Sequence, residues 1–521
     1  MRQYEMFELT FNGPEPEENC HAADLWVEFT GGGERKKVPG FYCGGGVYKV
    51  RFLPKGTGTY RWSVSGIVEA QGSRECAAAA PDAHGMVQAD GTAFRYEDGA
   101  LFHPFGTTVY ALISQPDELI EQTMDTLSTA PFNKIRMCVF PKSYEFNQND
   151  PPYYAFEQAE DGSWDTTRPN YPFWDALDRH IARLGDMGIQ VDLILFHPYD
   201  RWGFDGMGPE KDKQYLEYLI RRLSAFPNIW WSLANEYELT HRSLDKWYEI
   251  ESFVASRDPY GHLLSCHNIF KVWDAGRPQI THASIQSKEL YKLKTWIKQF
   301  GKPVMLDECA YEGDIEPFWG SITGAEMTRR FWRTVCCGAY CTHGETFYSG
   351  DDVLWWAKGG TLKGESPERI AFCRRIVESL PGRLEGEPAF MERLLPLMTM
   401  DEKERENVLE GLRCAALDNQ GADSLLRMIQ AFIDCGEDAK GFCASEMVWH
   451  AHIGTDCYLH FHDTRPLTRD TLELPSDRTY TIRVLDVWNM TDTVVAMGVS
   501  GKYVVKLPGH ENMAVLALAE Q

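Results

Sequence analysis

No run in this chain approaches the roughly 20 consecutive apolar residues needed to cross a bilayer, so an integral membrane span is not expected. Basic side chains are in short supply: 52 Lys and Arg stand against 76 Asp and Glu, a formal net charge of -24. That balance repels polyphosphate and anionic lipid surfaces, which argues against nucleic acid or a membrane as partner. The 14 cysteines, among them the adjacent pair Cys336-Cys337, form neither a CxxC metal box nor the regular framework of a secreted disulfide scaffold. Reduced thiols in a cytoplasmic protein are the expectation. Met1-Arg2-Gln3-Tyr4-Glu5-Met6-Phe7-Glu8 lacks the basic start and apolar region of an export signal, which fits that compartment unless a leader is missing. No motif recurs at a fixed period, so a solenoid is not expected either. At 521 residues the chain is too long for one core and should form two to four domains, none needing a metal or disulfide merely to fold.

What the chain does have begins with alternation. Val47-Tyr48-Lys49-Val50-Arg51-Phe52 alternates apolar with basic residues, Pro54-Lys55-Gly56-Thr57-Gly58 supplies a turn, and Tyr60-Arg61-Trp62-Ser63-Val64 alternates back. This predicts a hairpin with one buried face and one basic, solvated face, within a β-sandwich over residues 1–75. The runs Gly31-Gly32-Gly33 and Gly44-Gly45-Gly46 precede no helix opening and read as loops, not phosphate cradles. Cys76-Ala77-Ala78-Ala79-Ala80-Pro81 opens a linker, 76–93. Alternation returns in Tyr458-Leu459-His460-Phe461-His462, in residues 481–488 and in 503–507, which predicts a second sandwich over 445–521. The segment 383–444 reads as a charged, partly helical connection.

Residues 94–382 repeat strand, loop and helix. Strands are predicted at 104–109, 133–140, 189–196, 229–234, 262–267, 280–285, 303–308 and 339–345. Ser114-Gln115-Pro116-Asp117 caps the first helix, and Trp174, Leu177, Ile181 and Leu184 form the stripe of another lying on a sheet. Further helices are expected near 215–223, 244–254, 290–300 and 325–335, with Ser366-Pro367-Glu368 opening the closing one. Eight such units in roughly 250 to 300 residues predict a (β/α)8 TIM barrel, flanked by N-terminal and C-terminal β-sandwich domains.

The fourth and seventh strands carry the chemistry. Ile229-Trp230-Trp231-Ser232-Leu233-Ala234 reads as a strand buried on both faces, and it stops at Asn235-Glu236. Pro303-Val304-Met305-Leu306-Asp307-Glu308 repeats that layout before Cys309-Ala310-Tyr311. The carboxyl ends of barrel strands share one rim, so Glu236 and Glu308 should face each other across it. Either alone reads as a solvated loop acid. Together they are the apparatus for cleaving a glycosidic bond, one acid protonated near neutrality for the leaving oxygen and the other ionised to attack the anomeric carbon. Asn235 is a donor suited to a sugar hydroxyl, and Arg136, in the second strand, would lower the pKa of the acid that must stay charged. His197 and His267, ending the third and fifth strands, are candidate sugar contacts. Glu345 is a third acid on the rim, fit for a pair of sugar hydroxyls, a cation, or neither. Trp355, with Trp356, offers an aromatic platform for a sugar face or a hydrophobic plug under a loop.

Trp230-Trp231-Ser232-Leu233-Ala234-Asn235-Glu236 and Lys302-Pro303-Val304-Met305-Leu306-Asp307-Glu308 resemble the signatures of clan A glycoside hydrolases, the cellulase-like retaining enzymes with (β/α)8 barrels. The resemblance implies that Glu236 is the acid/base and Glu308 the nucleophile. Phe7-Glu8-Leu9-Thr10-Phe11-Asn12-Gly13-Pro14, Gly40-Phe41-Tyr42 and Val484-Leu485-Asp486-Val487-Trp488-Asn489-Met490 are similar to the flanking sandwiches of a largely uncharacterised bacterial group of such enzymes. Two positions depart from the clan. Gln286 stands after the sixth strand, where Tyr or His is usual, and is retained as a substrate contact; His343-Gly344-Glu345 stands where an aromatic ends the eighth.

The expectation is a retaining glycosidase that takes an oligosaccharide or glycoside, acts from a chain end and needs no cofactor. The sandwiches would shape the pocket or mediate self-association. One rival is a metal-dependent barrel hydrolase or isomerase gathering Glu236, His267, His282, Asp307 and Glu308 as ligands. The barrel segment has no HxH strand, HExxH motif or close histidine pair to favour it. A carbohydrate-binding protein that has lost catalysis is the other rival, and the presence of both acids argues against it.

Overall fold

The computed structural model describes residues 1–348, 350–388, 394, 397, 400–416, 422–436 and 448–520, which fall into two compact units. The first holds eight parallel strands: β1 (Phe105–Thr108), β2 (Lys134–Cys138), β3 (Gln190–Phe196), β4 (Ile229–Ala234), β5 (Leu264–Ser265), β6 (Ala283–Gln286), β7 (Val304–Glu308) and β8 (Tyr340–His343). They hydrogen-bond in the order β5-β4-β3-β2-β1-β8-β7-β6. A parallel bridge between His267 and Ser284 joins the two ends into a nearly closed barrel. Helices α1 (Asp117–Thr129), α2 (Tyr171–Asp186), α3 (Pro209–Leu223), α4 (Leu244–Arg257), α5 (Leu293–Phe300), α6 (Gly324–Cys336) and α7 (Ser366–Glu378) follow every strand except β5, which leads to β6 through residues 266–282 without a helix, so seven strand–helix units stand where eight are expected. Every residue of β3, β4 and β7 is buried, as parallel strands must be when helices cover one face and the barrel interior the other. In α2 the stripe Trp174, Leu177, Ile181 and Leu184 is buried as its spacing predicts.

The barrel interior is ionic in one layer. Lys134 and Arg136, two apart on β2, project to the same side of the strand. The Lys134 ammonium lies 2.7 Å from Asp192 and 2.8 Å from Asp307. Ser284 and Thr342 also donate to Asp307, at 2.6 and 2.8 Å. Burial works against the charged Asp307, but Lys134 and Arg136 beside it win and hold its carboxyl far below the usual range.

The N-terminal region is a sandwich of two antiparallel sheets, one of Phe7–Asn12, Val47–Phe52 and Phe41–Tyr42, the other of Glu34–Pro39, Leu25–Gly31, Gly58–Gly66 and Ala70–Cys76. The predicted hairpin is absent. Val47–Phe52 and Gly58–Gly66 belong to opposite sheets, because the five-residue connection of residues 53–57 crosses between layers; Phe52 and Tyr60 meet inside, ring centroids 5.4 Å apart. Nor is Arg51 on a wet face. It is 7% exposed, donating to Glu8 and, at 2.6 Å, to Asp178 of α2, which ties the sandwich to the barrel.

Three smaller expectations change. The segment 76–93 contains a strand, Val87–Asp90, paired with Ala93–Tyr96; the alanine run hid the short alternation after it. Ser114 does not cap α1; it ends a buried 3-10 turn, and Pro116 precedes the helix. The fifth strand shrinks to two residues because His262 turns aside to Asp258 and to the Phe226 carbonyl.

The second unit holds a six-stranded antiparallel sheet, in the order Glu385–Gly386, Trp449–Ile453, Cys457–Phe461, Met513–Ala519, Tyr480–Asp486 and Thr491–Val499, packed against the pair Arg469–Glu473 and Lys502–Lys506. Helices Glu402–Ala416 and Ala422–Cys435 lie in the segment read as a connection. Residues 389–393, 395–396, 398–399, 417–421 and 437–447, which belong to that connection and to the start of the second sandwich, lie outside the described residues. Among the described residues no helix is long and apolar enough to cross a membrane.

Candidate active site

Strand β4 ends at Ala234, and the backbone then turns sharply. Glu236 has φ 51 and ψ 57, the left-handed region that costs a side chain bearing a Cβ about 1–2 kcal/mol. That turn sets the carboxyl on the rim, 5% exposed. The Tyr199 hydroxyl donates to one oxygen. With its amide nitrogen toward the site, Gln286 donates to the other at 3.2 Å. Burial and then the charge of Glu308 raise the Glu236 carboxyl to about 7, against the pull of Lys142, Tyr199 and Gln286.

Glu308 closes β7 in different company. The register between β6 and β7 slips there: Ile285 faces Leu306 and Gln286 faces Glu308. This bulge places an extra residue, Asp307, on β7 and re-aims the side chain after it. Asp307 thus joins the ionic layer while Glu308, its neighbour, reaches the rim. Tyr110 donates to the Glu308 carboxylate, Arg136 Nη1 stands 3.6 Å away and His267 Nε2 3.9 Å away. Burial and then Arg136 push the His267 ring well below its ordinary value, so it is neutral. The Tyr110 hydroxyl also lies 2.8 Å from Asn235 Oδ1, which links the two acidic strand ends.

Lys142 stands between them. It is 2% exposed, with its ammonium 3.6 Å from the ring centre of Tyr110, 4.3 Å from Tyr199, 4.8 Å from Tyr144 and 5.4 Å from Trp356. Cation–π contact of this kind offsets part of the cost of burying the charge. Burial draws its pKa down, while Glu236 and Glu308 support the charged form.

Glu236, Glu308, Arg136, Asn235, His267 and Gln286 therefore converge. His197 stays behind them: its Nε2 meets the Phe140 carbonyl at 3.2 Å, and burial lowers its pKa to about 3. Trp355 is no platform. It is buried and donates to Thr107 at 2.8 Å, whereas Trp356, one residue on in the same short turn, faces the aromatic wall with Tyr110 and Tyr144. Glu345 turns into a buried cluster with Glu312 and His343. Tyr110, Lys142 and Tyr199 were missed, although each lies within four residues of a barrel strand's end. Tyr110, two residues past the end of β1, brings a hydroxyl to Glu308. The metal-binding alternative loses its ligands: Asp307 is spent on Lys134, and His282 precedes β6, at the end of the barrel away from the rim, with its ring packed against Phe94 and Trp230. The chain's close histidine pairs, His450/His452 and His460/His462, lie in the C-terminal sheet, where His460 pairs with Asp470.

A parallel eight-stranded barrel with two carboxyls at the ends of its fourth and seventh strands puts this chain among the barrel glycosidases. It belongs to the family of the Apiosidase-like catalytic domain, which matches residues 88–378, more than half of its length. Residues 1–66 and 446–517 match two domains of unknown function, DUF5060 and DUF5605. A crystal structure of a Bacteroides vulgatus protein assigned as a glycoside hydrolase is 30% identical, covering 100% of this chain and 99% of that one at a TM-score of 0.83. A glycoside hydrolase family 5 protein of Bacteroides vulgatus shares the fold at 14% identity and a TM-score of 0.59, over 85% of this chain and 94% of its own. Among curated proteins none matches.

Proposed function

We propose that this glycosidase works by double displacement with retention, Glu308 as nucleophile and Glu236 as acid and base. One contrast carries the reading. Burial and the Glu308 charge raise Glu236 to about 7, while Glu308 faces a hydroxyl donor and a guanidinium. A carboxyl near 7 still holds a proton for the leaving oxygen at neutral pH, and a carboxylate fixed by donors is positioned to attack carbon. In the first step a Glu308 oxygen bonds to the anomeric carbon as the glycosidic C–O bond breaks, and the Glu236 proton leaves with the aglycone. In the second, water gives a proton to Glu236 while its oxygen displaces Glu308, which restores both groups. This chemistry calls for no cofactor.

Exo action is favoured by burial: the two acids are only 5% and 8% exposed, which suits a chain end better than the middle of a polymer. None of the 13 described cysteines is part of a disulfide, which suits the cytoplasm and an imported oligosaccharide or glycoside. The family's name makes an apiosyl glycoside the first substrate to offer. Aryl glycosides, apiosides among them, followed by NMR of the first-formed sugar test the mechanism. The substrate's own anomer is expected; the opposite anomer rules out retention, and internal cleavage of a polymer rules out exo action.

A further inference from the structure

We propose that Glu312, His343 and Glu345 hold a divalent cation of the zinc class that clasps together the loops after β7 and β8. The short strands Glu312–Gly313 and Glu345–Thr346 pair in parallel, with Glu312 opposite Glu345. Parallel partners in register send their side chains to one face, so two carboxylates meet there, 2% and 1% exposed. Among the described residues no lysine or arginine pairs with either. Lys363 reaches Glu345 only through its backbone N–H and gives its ammonium to Asp351. Two buried like charges without a counterion are costly.

The imidazole supplies the second, independent sign. His343 Nε2 and Glu345 Oε1 are both buried, and neither has a hydrogen-bond partner. They stand 3.6 Å apart, too far to hydrogen-bond. Two ligands of a single ion, each about 2.0–2.2 Å from it, stand at such a separation. Thr107 Oγ1 holds the other ring nitrogen at 3.1 Å, the kind of outer contact that orients a ligating histidine. One ligand atom from each of Glu312, His343 and Glu345 lies within 4.8 Å of the others. A side chain at Gly364 would stand 2.5 Å from Glu312 Oε2 and 2.7 Å from Glu345 Oε1; glycine keeps that space clear. Glu312 is itself fixed by Glu365 N at 2.7 Å and Ser366 N at 3.1 Å, at the start of α7. Two carboxylates, a neutral imidazole and a dication sum to no net charge, and nitrogen with carboxylate oxygen is a donor set zinc accepts. The ion would brace the loop that runs from Glu308 through Tyr311, whose ring packs on Trp356.

Metal analysis of the purified full chain, with thermal melts before and after dialysis against a chelator, tests this. About one equivalent of metal per chain is expected, with a Tm about 5 °C higher when zinc is present at a hundred times its Kd. Cobalt bound in place of zinc should give visible absorption in the wild type and none in His343→Gln. Should that variant fail to fold, Glu345→Gln and the wild-type titration remain decisive. The proposal is overturned if the wild type takes up no zinc, manganese or cobalt and its Tm is indifferent to them. It is equally overturned if His343→Gln or Glu345→Gln keeps the full equivalent, since the ion then lies elsewhere.

Discussion

Glu236→Gln separates two consequences of one displaced carboxyl. Burial first and the Glu308 charge second raise the group from 4.5 to about 7. A tenfold change in an acid constant is worth 1.36 kcal/mol, so above pH 7 the ionised carboxyl costs the folded state about 3 kcal/mol relative to the unfolded chain. The folded value lies above the unfolded one, so stability is full below the unfolded value and lost as pH rises through 7. Glutamine cannot ionise. The variant should therefore gain on the wild type between pH 5 and pH 8, by about 6 °C in the melting of the first unit, measured by scanning calorimetry. Activity should move the other way. Hydrolysis of an alkyl glycoside should fall by about 10²–10⁴-fold, a nitrophenyl glycoside should lose far less in its first step, and the alkaline limb near pH 7 in kcat/KM should vanish. A Tm difference that ignores pH, or a limb that survives at 7 in the variant, refutes the assignment.

Glu308→Gln should abolish turnover of every glycoside while leaving inhibitor binding measurable by calorimetry; residual turnover from the variant itself would move the nucleophile elsewhere. Lys142→Met removes a cation that holds Glu236 down, so the alkaline limb should shift above 7 in a pH–rate profile, whereas mere loosening of the site would lower kcat and leave the limb in place. Lys134→Met strips Asp192 and Asp307 of the ammonium within 2.8 Å of both and should cost about 3–5 kcal/mol, read as a lower denaturation midpoint with unchanged slope.

The barrel was legible because its strands are buried on both faces and its helices carry a stripe, two periods that survive without any neighbour in view. Trp174 to Leu184 on α2 and Ile229 to Ala234 on β4 behave accordingly. Where a segment's place depends on what lies across from it, pattern failed. Val47–Phe52 alternates whether it pairs with the strand after it or with Phe7–Asn12, and the basic look of Arg51 gave no hint that Asp178, 127 residues on, waits for it. The acids at 236 and 308 could be read because each ends a strand. Lys142 could not: its meaning comes from four rings contributed by separate segments. Trp355 and Trp356 differ only in the direction each takes from a single turn of helix.

Strict alternation would have let only one of Asp307 and Glu308 face the barrel, yet Asp307 meets Lys134 in the interior and Glu308 meets Arg136 and Tyr110 at the rim. The bulge between β6 and β7 resolves this by spending one residue of β7 without a partner. A chain of consequences starts there. Asp307, facing inward, takes the charge of Lys134, and Asp192 stands 3.4 Å from Arg136 Nε, so the two cations of β2 have two aspartates for company. Arg136 still extends to within 3.6 Å of Glu308, and Lys142 is a further cation close to both rim acids. On the proposed assignment Glu308 is ionised, so a second negative charge at Glu236 would have to share Lys142 with it. Burial comes first in keeping the proton on Glu236 and the Glu308 charge second, with Lys142 pulling the other way, so on that assignment the acid and the nucleophile are told apart by surroundings that the position of Asp307 helps to set.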